Sequence, residues 1–106
     1  MDRSVVVRYQ TRPEAADENA RLVADVYAAL AEAAPEGFRY TTYRLADGVS
    51  FVHVADYTDE GNPLATLPAF ARFQQDIASR VVDGPTPSAA TIVGSYGTVG
   101  PVNSGA

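Results

Sequence analysis

Apolar and polar positions divide the chain into segments of two different periods. Val5-Val6-Val7-Arg8-Tyr9 is a β-branched run that meets Thr11-Arg12-Pro13, and a proline, lacking the ladder N–H, cannot continue a central strand. The pattern predicts a first strand over residues 4–11. From residue 13 to residue 34 alanine, glutamate and leucine take over, and Val23, Val26, Tyr27, Leu30 and Ala34 recur at steps of three and four, the signature of an amphipathic helix. A proline at its first turn, early acids at Glu14, Asp17 and Glu18, and the stop Pro35-Glu36-Gly37 mark both ends. Residues 38–45 and 49–57 are β-rich runs joined through Asp47-Gly48, a hairpin signal. After a polar loop, Phe70, Phe73, Gln74, Ile77 and Val81 share a helical stripe and predict a second helix over residues 67–82. Asp83-Gly84-Pro85-Thr86-Pro87 is expected to break it. A last strand is then expected over residues 89–96, with Ile92 and Val93 at its centre, followed by a Gly, Ser, Pro and Asn tail expected to be flexible. The domain organisation that follows is one domain over residues 1–97 and a tail over 98–106.

The order β-α-β-β-α-β is the ferredoxin-like α+β unit, a four-stranded antiparallel sheet with two helices on one face, strands 1 and 3 central and strands 2 and 4 at the edges. Both predicted central strands are apolar on both faces: Val5 and Val7 oppose Val6, and Phe51 and Ala55 oppose Val52 and Val54. Two helices cover only one face. At about 25 cal/mol per Å² of apolar surface removed from water, covering the other face favours association, and a homodimer through the open sheet face is expected.

Composition narrows the chemistry. The chain of 106 residues has room for one core. It contains no lysine and no cysteine, and a single histidine, which removes Schiff-base and P-loop lysines, thiol nucleophiles, iron–sulfur clusters and His-rich metal centres. No metal and no cofactor is expected. A net charge of −5 repels a phosphate backbone, so nucleic acid is not an expected partner, and an RNA-binding ferredoxin-like domain lacks its basic and aromatic signatures here. No apolar run reaches the length of a membrane helix, and the N-terminus lacks the pattern of a secretion signal; a cytoplasmic location is expected. Asp56-Tyr57-Thr58-Asp59-Glu60-Gly61 imitates the start of a calcium loop, but its twelfth position is Leu67 where a bidentate glutamate is required. Nucleotide-binding glycine patterns are absent from the sequence.

Several segments resemble the antibiotic biosynthesis monooxygenase-like domains of the dimeric α+β barrel superfamily: Val5-Val6-Val7-Arg8-Tyr9 running into Arg12-Pro13-Glu14; Tyr40-Thr41-Thr42-Tyr43-Arg44 through Asp47-Gly48 to Phe51-Val52-His53-Val54; Pro68-Ala69-Phe70-Ala71-Arg72-Phe73-Gln74; and Ile92-Val93-Gly94-Ser95-Tyr96. The resemblance covers about residues 4–97 and shapes the fold more than the chemistry. It implies two ferredoxin-like protomers packed sheet to sheet, in a family that includes cofactor-independent oxygenases of polyketide quinols and anthrones, haem-degrading oxygenases and domains of no assigned activity. The haem-degrading branch uses a strand Trp and a helix His. This chain has no Trp, and its only His lies on the third predicted strand.

His53 is the sharpest candidate for chemistry, because its ordinary pKa lies near neutrality and it sits among Phe51, Val52 and Val54. As a general base on a pocket wall it would deprotonate a phenol or anthrone, giving a carbanion able to pass an electron to oxygen without a cofactor. A hydrogen-bonded structural histidine is the alternative. Tyr40, Tyr43, Tyr57, Tyr9 and Tyr96, with Arg44 and Arg39, are candidates to line a cavity for a planar aromatic or small hydrophobic ligand, and Phe51, Phe70 and Phe73 to wall it, although aromatic residues are also ordinary strand and core formers. Two functions compete: a cofactor-free monooxygenase with His53 as base, and a non-catalytic dimeric module for ligand binding or assembly.

Overall fold

Residues 3–58 and 61–97 are described by the computed structural model of the chain; the tail expected over residues 98–106 lies outside them. The elements are β1 (Arg3–Thr11), α1 (Ala16–Ala33), β2 (Arg39–Arg44), β3 (Ser50–Tyr57), α2 (Pro68–Gln75), α3 (Ile77–Arg80) and β4 (Val81–Ala90), with 3₁₀ turns at Pro13–Ala15 and Pro63–Thr66 leading into α1 and α2. All strand pairs are antiparallel and the sheet order is β2-β3-β1-β4. This is the expected ferredoxin-like α+β arrangement, with β1 and β3 in the middle.

The period-2 alternation sorts the central strands as expected. Tyr9, Phe51, His53 and Ala55 are buried, while Val6, Val52 and Val54 are only half-buried. Tyr9 and Phe51 join Ala16, Val23 and Val26 of α1 and Ala69 and Phe73 of α2 in one core cluster, closed by Leu64. The helices therefore lie on a single face, and His53 lies on that face. Helix α1 runs as its stripe predicts and ends on Ala34, held at φ 46° with its N–H bonded to the Leu30 carbonyl at 2.7 Å. The Asp47-Gly48 hairpin forms: Asp47 accepts from the Val49 and Ser50 amides and from the Ser50 hydroxyl, and these bonds hold its carboxyl below the usual range.

The C-terminal third departs from expectation. The second helix ends at Gln75, and Asp76, at φ −118° and ψ 27°, leaves the helical region before the short α3. Strand β4 begins directly at Val81, so Asp83-Gly84-Pro85-Thr86-Pro87 is strand, not a break, and the strand expected over residues 89–96 is finished at Ala90. Ile92 and Val93 are not its centre; Val93 is 99% exposed. The physical reason lies in β1. Its partners run from Thr11 against Val81 to Ser4 against Ala90, with register shifts beside Gln10, and a bulged edge strand is where proline is tolerated. Gly84 sits in this irregular stretch at φ +87°, where a Cβ would lie 2.7 Å from the Arg8 carbonyl oxygen.

Candidate functional site

Five rings form a run across the helix-covered face. Phe38, Tyr40, His53, Tyr9 and Phe51 lie with successive centroids 5.8, 5.7, 5.3 and 5.5 Å apart, each pair stacked. Strand register builds the run, since His53 opposes Val7 of β1 and Thr42 of β2, so that Tyr9 and Tyr40 reach it diagonally from either side. Phe73 of α2 tilts onto His53 at 5.7 Å and Phe70 stacks on Phe73 at 6.0 Å. Tyr9, Tyr40, His53, Phe70 and Phe73 of this group border a cavity of about 120 Å³ between sheet and α2, lined also by Val5, Val7 and Ala55 from the sheet, with Asn62, Leu64, Gln74, Ile77 and Pro85 around it.

Hydrogen bonds occupy both ring nitrogens of His53. The Tyr9 hydroxyl is 2.8 Å from Nε2. On the other side the Tyr40 hydroxyl and the Thr42 hydroxyl lie 2.8 and 2.9 Å from Nδ1, and Tyr27 reaches Thr42 at 2.9 Å. Beyond Tyr9, the Asn19 amide donates to the phenol oxygen at 2.8 Å, and the Arg80 guanidinium donates through Nε to Asn19 Oδ1 at 3.2 Å and through Nη2 to the Phe73 carbonyl. Arg80 also lies over the Phe73 ring, 5.4 Å from its centroid. Among the described residues no buried side-chain nitrogen or oxygen lacks a partner, which is what makes such a network tolerable in a core.

Burial sets the protonation states. It lowers the His53 pKa to about 4, so the imidazole is neutral at pH 7. It raises Tyr9 to about 12 against the opposing pull of the Asn19 hydrogen bond and the Arg80 charge, and it raises Tyr40 and Tyr27 as well. All three phenols keep their hydrogens at neutral pH.

Of the residues singled out from the sequence, His53, Tyr40, Phe70, Phe73 and Tyr9 border this cavity and the others do not. Tyr43 and Arg39 have the opposite strand parity to Tyr40; both are exposed on the open face. Arg44 serves the hairpin end, donating to the Gly48 carbonyl at 2.9 Å, pairing with Asp17 and covering Phe51. Phe51 is core behind Tyr9, Tyr57 is half-buried at the far end of β3, and Tyr96 is fully exposed. Asn19, Arg80 and Thr42 escaped the sequence reading. Asn19 falls on the stripe of Ala16, Val23 and Val26, and Arg80 on that of Phe73 and Ile77; a polar residue at a core position of a helical stripe was the available signal. A larger cavity of about 390 Å³ lies on the open sheet face beside the β4 irregularity, bordered by Val6, Arg8, Gln10, Asp83, Thr86 and Ser88. Among the described residues no cluster of three or more His, Cys, Asp or Glu stands ready for a metal, and no helix is long and apolar enough to cross a membrane.

No family model matches the sequence, and no curated protein matches it. Solved structures do. SnoaB, a cofactor-independent oxygenase from Streptomyces nogalater, is 21% identical over 89% of this chain and 95% of its own, with a TM-score of 0.65. A candidate antibiotic biosynthesis monooxygenase from Chloroflexus aurantiacus is 10% identical over 92% and 98% of the two chains, with a TM-score of 0.68. A protein of unknown function from Nitrosomonas europaea is 16% identical over 93% and 96%, with a TM-score of 0.70. Identities this low speak for architecture, and on that architecture the chain has the fold of the antibiotic biosynthesis monooxygenase-like domains.

Proposed function

We propose that the cavity beside His53 is a site for a small oxygenated aromatic molecule, and that the chemistry it best supports is cofactor-independent oxidation of a quinol-type ligand by O₂. One observation carries the reading: an apolar, ring-lined cavity is bordered by the only neutral imidazole of the chain and by two phenols hydrogen-bonded to it. Apolar walls with a few convergent polar groups are the usual make-up of a ligand pocket. A cavity near 120 Å³ is smaller than the usual few hundred Å³ and close to the ~150 Å³ void that admits benzene. It takes one ring. In the reaction, the ligand releases a proton to water and is held as its anion, the anion passes an electron to O₂, the resulting pair joins as a peroxide that takes a proton back from water, and loss of water leaves a new carbonyl. One oxygen atom enters the product, the other leaves as water, and the ligand itself supplies the electrons. His53 takes part through Tyr9 or Tyr40, because both of its nitrogens face protein hydroxyls.

Oxygen uptake with a single-ring hydroquinone tests the reading. His53→Gln and Tyr40→Phe are expected to lower the rate by about 10²–10⁴-fold, the usual worth of acid–base assistance, with far-UV circular dichroism unchanged. Rates equal to the parent in both variants sink the catalytic role.

We propose also that the protein is a homodimer. The observation in favour is the open face, where Val6, Val52 and Val54 stay half-exposed and Tyr43 is 54% exposed. A non-catalytic dimeric module for ligand binding or assembly is the second reading, favoured by a His53 whose hydrogen-bonding capacity the protein already fills.

A further inference from the structure

The chain of groups from Arg80 to Tyr40 has a direction, and its direction is fixed at the arginine. A guanidinium carries only donors and keeps its proton in proteins. The atom of Asn19 facing Arg80 Nε must therefore be the carbonyl oxygen, which turns the Asn19 NH₂ toward Tyr9. Among the described residues the Tyr9 hydroxyl has two hydrogen-bond neighbours, Asn19 and His53. Having accepted from Asn19, it has one place left for its own hydrogen, which is Nε2 of His53. A neutral ring that accepts at Nε2 carries its hydrogen on Nδ1, and Nδ1 then donates to the oxygens of Tyr40 and Thr42.

The reverse order fails at Tyr9, because a hydrogen on Nε2 would leave the buried Tyr9 hydroxyl hydrogen without a partner.

We infer that Arg80, Asn19 and Tyr9 are positioning residues that hold His53 in the Nδ1–H form, so that the network donates toward the cavity instead of accepting from it. Tyr40 does not spend its hydrogen on His53; it shares it within the cluster and can turn it to an oxygen in the cavity. The ligand oxygen recognised there is an acceptor, a phenolate or enolate oxygen in preference to a phenol. This rests on the small-molecule reading above and changes the task of His53 within it: the imidazole stabilises the ligand's anion through Tyr40 and does not take the proton itself.

The single histidine makes the test direct. In the ¹⁵N-labelled protein at pH 7, two-bond ¹H–¹⁵N correlations of the only imidazole show which nitrogen is protonated. The expected pattern is Nδ1 in the N–H range and Nε2 in the bare-nitrogen range; the opposite pattern, or two protonated nitrogens, overturns the inference without any variant being made. Asn19→Asp then reverses the chain by design. A carboxylate accepts from both Arg80 and Tyr9, the Tyr9 hydrogen turns away from the imidazole, and His53 is expected to switch to Nε2–H. An unchanged tautomer in a folded Asn19→Asp protein also overturns it. Titration with 4-nitrophenol, whose ionised form absorbs in the visible, reads the ligand side: the bound chromophore is expected to ionise at lower pH than the free one, and to lose that shift in Tyr40→Phe. A bound chromophore that ionises at higher pH removes the donor role. If 4-nitrophenol does not bind, the small-molecule reading falls while the tautomer result stands by itself.

Discussion

At the scale of single residues, the fold depends on an imidazole that stays uncharged. His53 is 4% exposed and its pKa is about 4 in the folded chain, against an ordinary value near 6.5. The sign follows. Above pH 6.5 both folded and unfolded chains hold it neutral and its contribution is complete; as pH falls from 6.5 toward 4 the unfolded chain takes up the proton first, and stability is lost across that window. The loss attributable to this one group is about 3 kcal/mol. Urea unfolding of the parent and of His53→Gln at pH 7 and pH 4.5 checks it: the gap between the two proteins in their pH dependence is expected to approach that figure. Little of this was legible from the chain. The sequence shows a histidine among apolar neighbours, but its face depends on register, and its two phenol partners lie 44 and 13 residues away. Strand pairing brings them together, and no local pattern encodes the diagonal.

At the scale of elements, boundaries follow local chemistry where local chemistry is strong. Helix α1 and the Asp47-Gly48 hairpin were legible because each carries its own start and stop signals. Strand β4 was not, since two prolines and a glycine read as punctuation when taken by themselves, and only β1 supplies the ladder that turns them into an edge strand. Two substitutions probe these ends. Ala34 closes α1 at φ 46°, a conformation that costs a residue with a Cβ roughly 1–2 kcal/mol. After the extra flexibility of glycine in the unfolded chain is subtracted, Ala34→Gly is expected to raise stability by up to about 1 kcal/mol. Gly84→Ala is expected to act in the opposite sense. It combines a positive φ with a backbone oxygen 2.7 Å from the new Cβ, and a loss of about 1–3 kcal/mol is expected in the same unfolding measurement.

At the scale of the whole molecule, the helices cover one face of the sheet and the central strands keep valines on the other. Native mass spectrometry is expected to show a species of twice 11.2 kDa, and Val54→Glu, which puts a charge beside Val6 and Thr41 on that face, is expected to return it to the monomer with its circular dichroism unchanged. A parent that stays monomeric at micromolar concentration refutes the sheet-to-sheet pairing. The topology itself was readable because it needs only the order and type of the elements; the cavity was not, because its walls come from strands, α2 and the turn before α2 at once.

Strand β4 has one more consequence. An outer strand of ten residues lying almost wholly in solvent is a template on which further chains can add, edge to edge, into filaments. Pro85 and Pro87 offer no N–H to an incoming strand, and the bulged register bends the edge out of line. The residues that hid this strand from a reading of the sequence thus act as its guard against polymerisation. Replacing Pro87 with valine is expected to leave the fold standing and to turn a clear solution turbid on mild heating, with a rise in thioflavin fluorescence that the parent does not show.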